Sequence, residues 1–299
     1  MLNILIRKYV YKYLKKEIIL GDKNFTMVPI KSLKSSYSQN QVFFVEQSNR
    51  YTIINNENKG IIVLDDDWNE VKRIYIGEDI LLPEIIYVDF SRNRLVLVLE
   101  ETYCFIDIDN EFVKLIPTPQ EFKTVRFKAL YHFTDDVVYM NTSKGILFWS
   151  LKDFTVQLVA DVRNTDKLFN WFYTQSKDKH SYFHKGVLTY FDSNNITIIY
   201  SLKKVEIKDF VDINCFDVTA TNRYCLAVAE DKLQLIKLDN DDKGKFISFK
   251  YPLYGACAIF FEQDDELHLV LLRWNDLEAT SILEEYVIDF DKLPDHVVI

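Results

Sequence analysis

Short apolar runs alternate with polar turns along almost the whole chain, and one arrangement of them recurs. An apolar run ends in a turn rich in Asp, Asn or Lys, and a second apolar run follows. Six copies are GIIVLDDDWNEVKRIYI from Gly60, CFIDIDNEFVKLI from Cys104, ILFWSLKDFTVQLV from Ile146, ITIIYSLKKVEI from Ile196, KLQLIKLDNDDKGKFISF from Lys232 and YVIDFDKLPDHVVI from Tyr286. Their mean spacing is about 45 residues. Two further strand-like runs precede most copies. They are EIIYVDF and RLVLVLE before the second, VRFKALYHF and VVYMN before the third, NCFDVTA and RYCLAVAE before the fifth, and ACAIFFE and LHLVLL before the sixth. The pattern predicts a unit of four short antiparallel strands.

The runs are apolar for five to seven residues without strict alternation, as expected of strands covered on both faces. One four-stranded sheet cannot cover both of its own faces. Stacking such sheets radially does so and leaves only short, protected edges. The sequence therefore predicts an all-β protein, a β-propeller of six or seven four-stranded blades. A pair of β-sandwiches is the alternative, and the regular period counts against it. The chain resembles the six- and seven-bladed propeller superfamily that includes WD40 and related repeats. VIDFD (287–291) and FIDID (105–109) resemble the YVxD-type strand ends of propellers, whereas the WD dipeptide and GH signature of WD40 repeats are absent. The resemblance covers residues 41–299, about six repeats in a domain that is single overall. Residues 1–40 are expected to add N-terminal strands, as a partial blade or a cover strand, with SLKSSYSQN (32–40) as the loop into the first full blade.

Composition narrows the class. Among 299 residues, 48% are hydrophobic and 27% charged, so a disordered chain is excluded. Only 7 Gly and 6 Pro occur, against 22 Phe and 18 Tyr, which favours strands over helices. Cys104, Cys215, Cys225 and Cys257 form no CxxC pair and read as free, partly buried thiols. In MLNILIRKYVYKYLKKEIIL, Arg7, Lys8, Lys12, Lys15 and Lys16 interrupt the apolar residues, unlike a signal peptide or a membrane span. The expectation is a soluble, cytoplasmic protein without a membrane partner.

Net charge is −9, which argues against nucleic acid as a partner. Its distribution is uneven. Residues 1–40 carry eight Lys/Arg against two Asp/Glu, whereas residues 262–295 carry eleven Asp/Glu against Arg273 and Lys292. The lysines of the start fit strands with charged edges.

Catalytic and cofactor motifs do not emerge. With scattered glycines there is no GxGxxG or P-loop, and GxSxG is absent, so neither a catalytic residue nor a cofactor is expected. His180 and His184 have i,i+4 spacing in HSYFH but lack the HExxH glutamate and fall in a predicted loop or hairpin. DNDDKG (239–244) resembles the opening of a calcium loop, yet Lys243 and Lys250 occupy ligand positions, and a cation cannot ligate calcium. It reads as a hairpin turn, as do Asp65, Asp66 and Asp67, and no metal is expected.

In the predicted blades, one set of connections joins second to third strands and fourth strands to the next blade. It carries Glu78, Asp79, Glu100, Glu101, Asp192, Glu230, Asp231, Asp276 and Glu278. Such a rim would attract a basic partner. Trp171, in the longer fourth repeat, and Trp274, in LLRWNDLEATSI (271–282), read as a long connection, are the candidate aromatic anchors. The functional expectation is a non-enzymatic, acidic protein-binding scaffold that is monomeric outside its complex. Its most concrete form is a bacterial immunity or inhibitor protein that neutralises a basic toxin such as a nuclease. The alternatives are a hydrolase or glycan-binding propeller using central carboxylates, and a scaffold subunit of a larger complex.

Overall fold

The computed structural model describes residues 25–35, 44–78, 85–89, 92–99, 102–122, 127–134, 136–142, 145–159, 180–184, 187–192, 195–200, 203–207, 213–218, 223–229, 232–237, 246–250, 254–275 and 280–298. These residues hold 26 strands, one short 3-10 helix at Gln120–Phe122 and no α-helix. The strands form six sheets, each built on an antiparallel meander of three or four consecutive strands. This succession is the blade repeat of a β-propeller.

Two compact units divide the chain: residues 44–211, and residues 1–43 together with 212–299. The first unit holds four blades. Blade one is β3 (Val45–Gln47), β4 (Thr52–Asn56), β5 (Gly60–Leu64) and β6 (Glu70–Tyr75). Blade two is β7 (Ile85–Asp89), β8 (Arg94–Val98), β9 (Thr102–Asp107) and β10 (Phe112–Pro117). Blade three is β11 (Phe127–Thr134), β12 (Val137–Thr142), β13 (Gly145–Ser150) and β14 (Val156–Val159). Blade four is β15 (His180–His184), β16 (Val187–Asp192), β17 (Asn195–Tyr200) and β18 (Lys203–Ile207), so HSYFH is the first strand of a hairpin, the second of the two forms expected of it.

Position within a blade sets burial. Ile61, Ile62, Val63 and Leu64 of β5 are all buried, whereas β6 exposes Val71 and Tyr75 and interleaves Glu70, Lys72 and Arg73. The fourth strand is an edge, and its charges discourage pairing with another chain. Blades two and three share an apolar core in which the rings of Tyr103 and Trp149 lie 5.4 Å apart. Phe154, from the β13–β14 turn, packs against Phe105 and Phe112 at 5.6 and 6.0 Å. Polar contacts also tie blades one and two. Arg50 reaches Asp109 at 2.6 Å, and the Lys72 ammonium donates to the Ile108 carbonyl at 2.8 Å. The hydrogen bond from Asn93, helped by Arg50 and Tyr51, holds the Asp109 carboxyl below its usual range.

The Asp-rich turns are structural caps. Asp65 Oδ1 accepts from the backbone N–H groups of Asp67 and Asn69, and Asp107 Oδ1 accepts from that of Asn110. Both follow the Asx habit of satisfying backbone donors near the turn.

The second unit holds two blades, and here the chain departs from its predicted repeat. Blade five is β19 (Ile213–Val218), β20 (Tyr224–Ala229), β21 (Lys232–Lys237) and β22 (Phe246–Lys250). Blade six takes β23 (Tyr254–Gln263), β24 (Glu266–Asn275) and β25 (Thr280–Ile288) from the end of the chain. Its fourth strand is β2 (Lys31–Ser35), antiparallel to β25 with Lys31 opposite Glu285 and Leu33 opposite Leu283. The sixth sequence copy is therefore not a hairpin. After β25 the chain moves to blade five, where β26 (His296–Val298) runs parallel to β22, and β1 (Phe25–Thr26) runs parallel to β26. The loop predicted over 32–40 is a strand up to Ser35. Leu33 alone in KSLKS is apolar, so the strand takes its structure from pairing with β25 rather than from its own pattern. Leu226, Leu235 and Ile247 of blade five and Phe260, Leu269 and Tyr286 of blade six belong to one buried core.

Candidate functional site

Blade six carries most of the acidic surplus, and its register decides where that charge lies. Strand β23 ends at Gln263, which faces Glu266, and Leu267 faces Ile288. The β23–β24 turn and the end of β25 therefore occupy one end of the sheet. Glu262, Asp264, Asp265, Glu266, Asp289 and Asp291 lie at or just beyond that end. All but Glu262 are exposed, as is Asp295, which leads into β26.

Asp264 and Asp265 have φ values of 50° and 66°. A two-residue type I′ turn demands positive φ at both central positions, where Asn-Gly or Asp-Gly is the usual choice. Here Asp fills both, so the tip of the hairpin carries two carboxylates instead of a glycine. Cations offset only part of this charge. Arg223 lies 3.3 Å from Glu262, Lys237 lies 3.6 Å from Asp291, and Lys292 lies 2.6 Å from Asp289. The Lys292 hydrogen bond and charge hold the Asp289 carboxyl below its usual range.

Two ion networks lie behind this end, inside the sheet. Successive residues of a strand face opposite sides, so Glu284 and Glu285 point apart. Glu284 pairs with Arg273 and accepts from the Tyr286 hydroxyl at 2.8 Å. Glu285 meets His268 Nδ1 at 2.8 Å and the Lys31 ammonium at 3.0 Å. Burial pushes the Glu285 carboxyl up, but the hydrogen bonds from His268 and Lys31 outweigh it and hold the group below its usual range. His268 also stacks on Phe261, with ring centroids 5.1 Å apart. Removing one partner of such a pair strands the other, so these networks fix the register of β24, β25 and β2.

The residues expected from the sequence are placed as follows. Glu78 is exposed after β6, 3.7 Å from Lys59, and it accepts from the Tyr75 hydroxyl at 3.2 Å. Asp192 ends β16, and Trp274 lies within β24, opposite Tyr254 and Ser281. Asp79, Glu100, Glu101, Trp171, Glu230, Asp231, Asp276 and Glu278 lie outside the described residues, as does DNDDKG.

The long connection predicted over 271–282 is corrected. Residues 271–275 belong to β24 and 280–282 to β25, with Asn275 opposite Thr280, so only 276–279 connect them. Arg273 suggests a loop in the sequence but is buried beside Glu284. The acidic stretch divides accordingly. Asp276 and Glu278 belong to the predicted rim, while Asp264, Asp265, Glu266, Asp289 and Asp291 lie at the opposite end of the blade. Sequence reasoning missed this second cluster because Asp264 and Asp265 sit between two long apolar runs and pass for an ordinary turn. Among the described residues, no group of three or more His, Cys, Asp or Glu could hold a metal ion.

No protein-family model and no curated protein sequence matches the chain. Solved structures similar to it include Kluyvelomyces marxianus Hsv2, at 15% identity and a TM-score of 0.43, over 80% of this chain and 78% of that one. PorZ, a component of the type-IX secretion system of Porphyromonas gingivalis, is similar at 10% identity and a TM-score of 0.47, over 87% of this chain and 40% of that one. Regucalcin from Agrobacterium tumefaciens, a calcium-binding protein, is similar at 14% identity and a TM-score of 0.44, over 73% and 75%.

Proposed function

We propose that the chain is a non-enzymatic, cytoplasmic protein-binding scaffold whose partner is a basic protein. The observation that carries the reading is the acidic end of blade six, where Asp264 and Asp265 occupy both central positions of a tight hairpin turn. Carboxylates held on a rigid hairpin steer a cationic partner and lose little conformational freedom on binding. The most concrete form of this function is inhibition of a basic toxin such as a nuclease, whose cationic active site would receive the carboxylates.

The test uses the immobilised protein and a cell extract at low salt. Three proteins are compared: wild type, Asp264→Asn/Asp265→Asn/Glu266→Gln, and Asp276→Asn/Glu278→Gln. The reading expects basic proteins to be retained by wild type, released by salt and depleted on the first variant. Equal retention by all three would refute an acidic docking site on this blade. Loss on the second variant alone would move the site to the opposite end.

A further inference from the structure

The segment between β1 and β2 presents apolar side chains to water. From Met27 to Lys34 burial alternates residue by residue. The inward set is structural: Met27 packs against the core of blades five and six, Lys31 meets Glu285 at 3.0 Å, and Leu33 lies opposite Leu283. The outward set begins with Val28 and Ile30, 79% and 54% exposed, and continues with Ser32 and Lys34. Val28 is the most exposed large hydrophobic residue among the described residues. The pair is held at both ends. Thr26 pairs with Val298 on one side, and the Ile30 N–H donates to the Glu285 carbonyl at 2.8 Å on the other. Pro29 between them has its φ fixed by its ring. A single exposed aliphatic residue is ordinary, but outer strands usually carry charge where these two carry none.

The place of the pair on the blade supplies the partner's chemistry. Lys31 pairs with Glu285, so Ile30 comes level with Tyr286, three residues from Asp289, or about 10 Å along the strand. Asp264, Asp265 and Glu266 lie at the same end, two strands over, on the order of 15 Å away. One side of a standard interface covers about 800 Å², a patch roughly 30 Å across, so the aliphatic pair and the carboxylates fit within it. We propose that Val28 and Ile30 are the apolar anchor of the docking face whose carboxylates steer a basic protein, and that the matching surface of that partner sets aliphatic side chains between its lysines and arginines. This anchor presupposes the acidic docking face, and it separates a specific partner from a mere polycation. Because the segment is pinned on both sides, little conformational freedom is lost when the partner covers it.

The experiment uses the full-length protein and two labelled peptides of equal charge, octalysine and an alternating lysine–leucine peptide with eight of each, followed by fluorescence anisotropy at low and at physiological salt. Wild type is expected to bind the alternating peptide at least 10-fold more tightly than octalysine. Val28→Ser/Ile30→Ser should abolish that preference and leave octalysine binding unchanged. Val28→Ser alone, at the most exposed position and so harmless to folding, should reduce the preference at least 3-fold. Val71→Ser, at an exposed aliphatic residue of β6, should leave it intact. Asp264→Asn/Asp265→Asn/Glu266→Gln should weaken both peptides alike, most at low salt. No preference in wild type, a preference that survives Val28→Ser/Ile30→Ser, or one that Val71→Ser reduces as much as Val28→Ser, overturns the anchor while leaving acidic docking standing. Octalysine binding that the carboxylate variant does not weaken refutes the acidic face itself, and the anchor falls with it.

Discussion

Trp149 offers a sharp test of how blades two and three are joined. Its indole is fully buried, its ring lies 5.4 Å from that of Tyr103, and its Nε1 has no hydrogen-bond partner among the described residues. Trp149→Ala removes the ring and leaves a cavity, which costs about 3–5 kcal/mol for a core aromatic. Trp149→Phe keeps a ring against Tyr103 and deletes the unpaired N–H, whose burial costs about 1–3 kcal/mol. Its lost volume and recovered desolvation nearly offset, so the net cost should be about 0–2 kcal/mol. For a domain of this size each kcal/mol moves Tm by about 2–4 °C, so Ala should lower it by about 6–20 °C and Phe by no more than about 8 °C. Urea unfolding followed by far-UV circular dichroism, with the denaturant slope held common, measures both changes. A Phe variant as unstable as the Ala variant would mean that the indole N–H is satisfied and contributes to stability. An Ala cost below about 1.5 kcal/mol would refute the packed inter-blade core itself.

Three other outcomes are expected. The folded-state pKa of Glu285 lies below its ordinary 4.5, so its contribution is present above that value and is lost as pH falls through the lower folded value. Urea midpoints measured from pH 7 to pH 3 should decline, and Glu285→Gln should lower the midpoint at pH 7 while flattening the decline. Burial pushes the Cys104 thiol up to about 12, so iodoacetamide at pH 8 should leave its peptide unmodified until denaturant is added, as read by mass spectrometry. Asp265→Gly relieves a φ of 66° and should raise stability by about 0.5–1 kcal/mol in thermal melts, with weaker retention of basic proteins on the immobilised variant.

The blade repeat was readable because its signal is local. A buried third strand needs a continuous apolar run, its turn needs Asp, and Ile61–Leu64 with Asp65, or Phe105–Ile106 with Asp107, supply both within a few residues. What stayed hidden depends on pairing across long separations. Nothing in KSLKS indicates that its partner is Ser281–Glu285, because the information resides in Lys31 and Glu285 together. For the same reason the sixth copy looked like the other five. VIDFDKLPDHVVI has the composition of a hairpin, but the edge it would cover belongs to β2. The candidate site was half legible. Residues 262–295 announced their charge, while the assignment of its parts to opposite ends of blade six required the register of β23, β24 and β25.

The pairing of β2 with β25 also sets a timetable for biosynthesis. Residues 44–211 form a continuous stretch whose blades can each close as they emerge from the ribosome. Strand β2 is made before them, yet its partner is made about 250 residues later, a delay on the order of 10–50 s at ordinary elongation rates. Throughout that interval the β25 partner of KSLKS does not yet exist. Lys31 and Lys34 flank Leu33, and charges placed so act as gatekeepers against premature pairing. A segment with little strand character of its own suits an element that must wait for its partner.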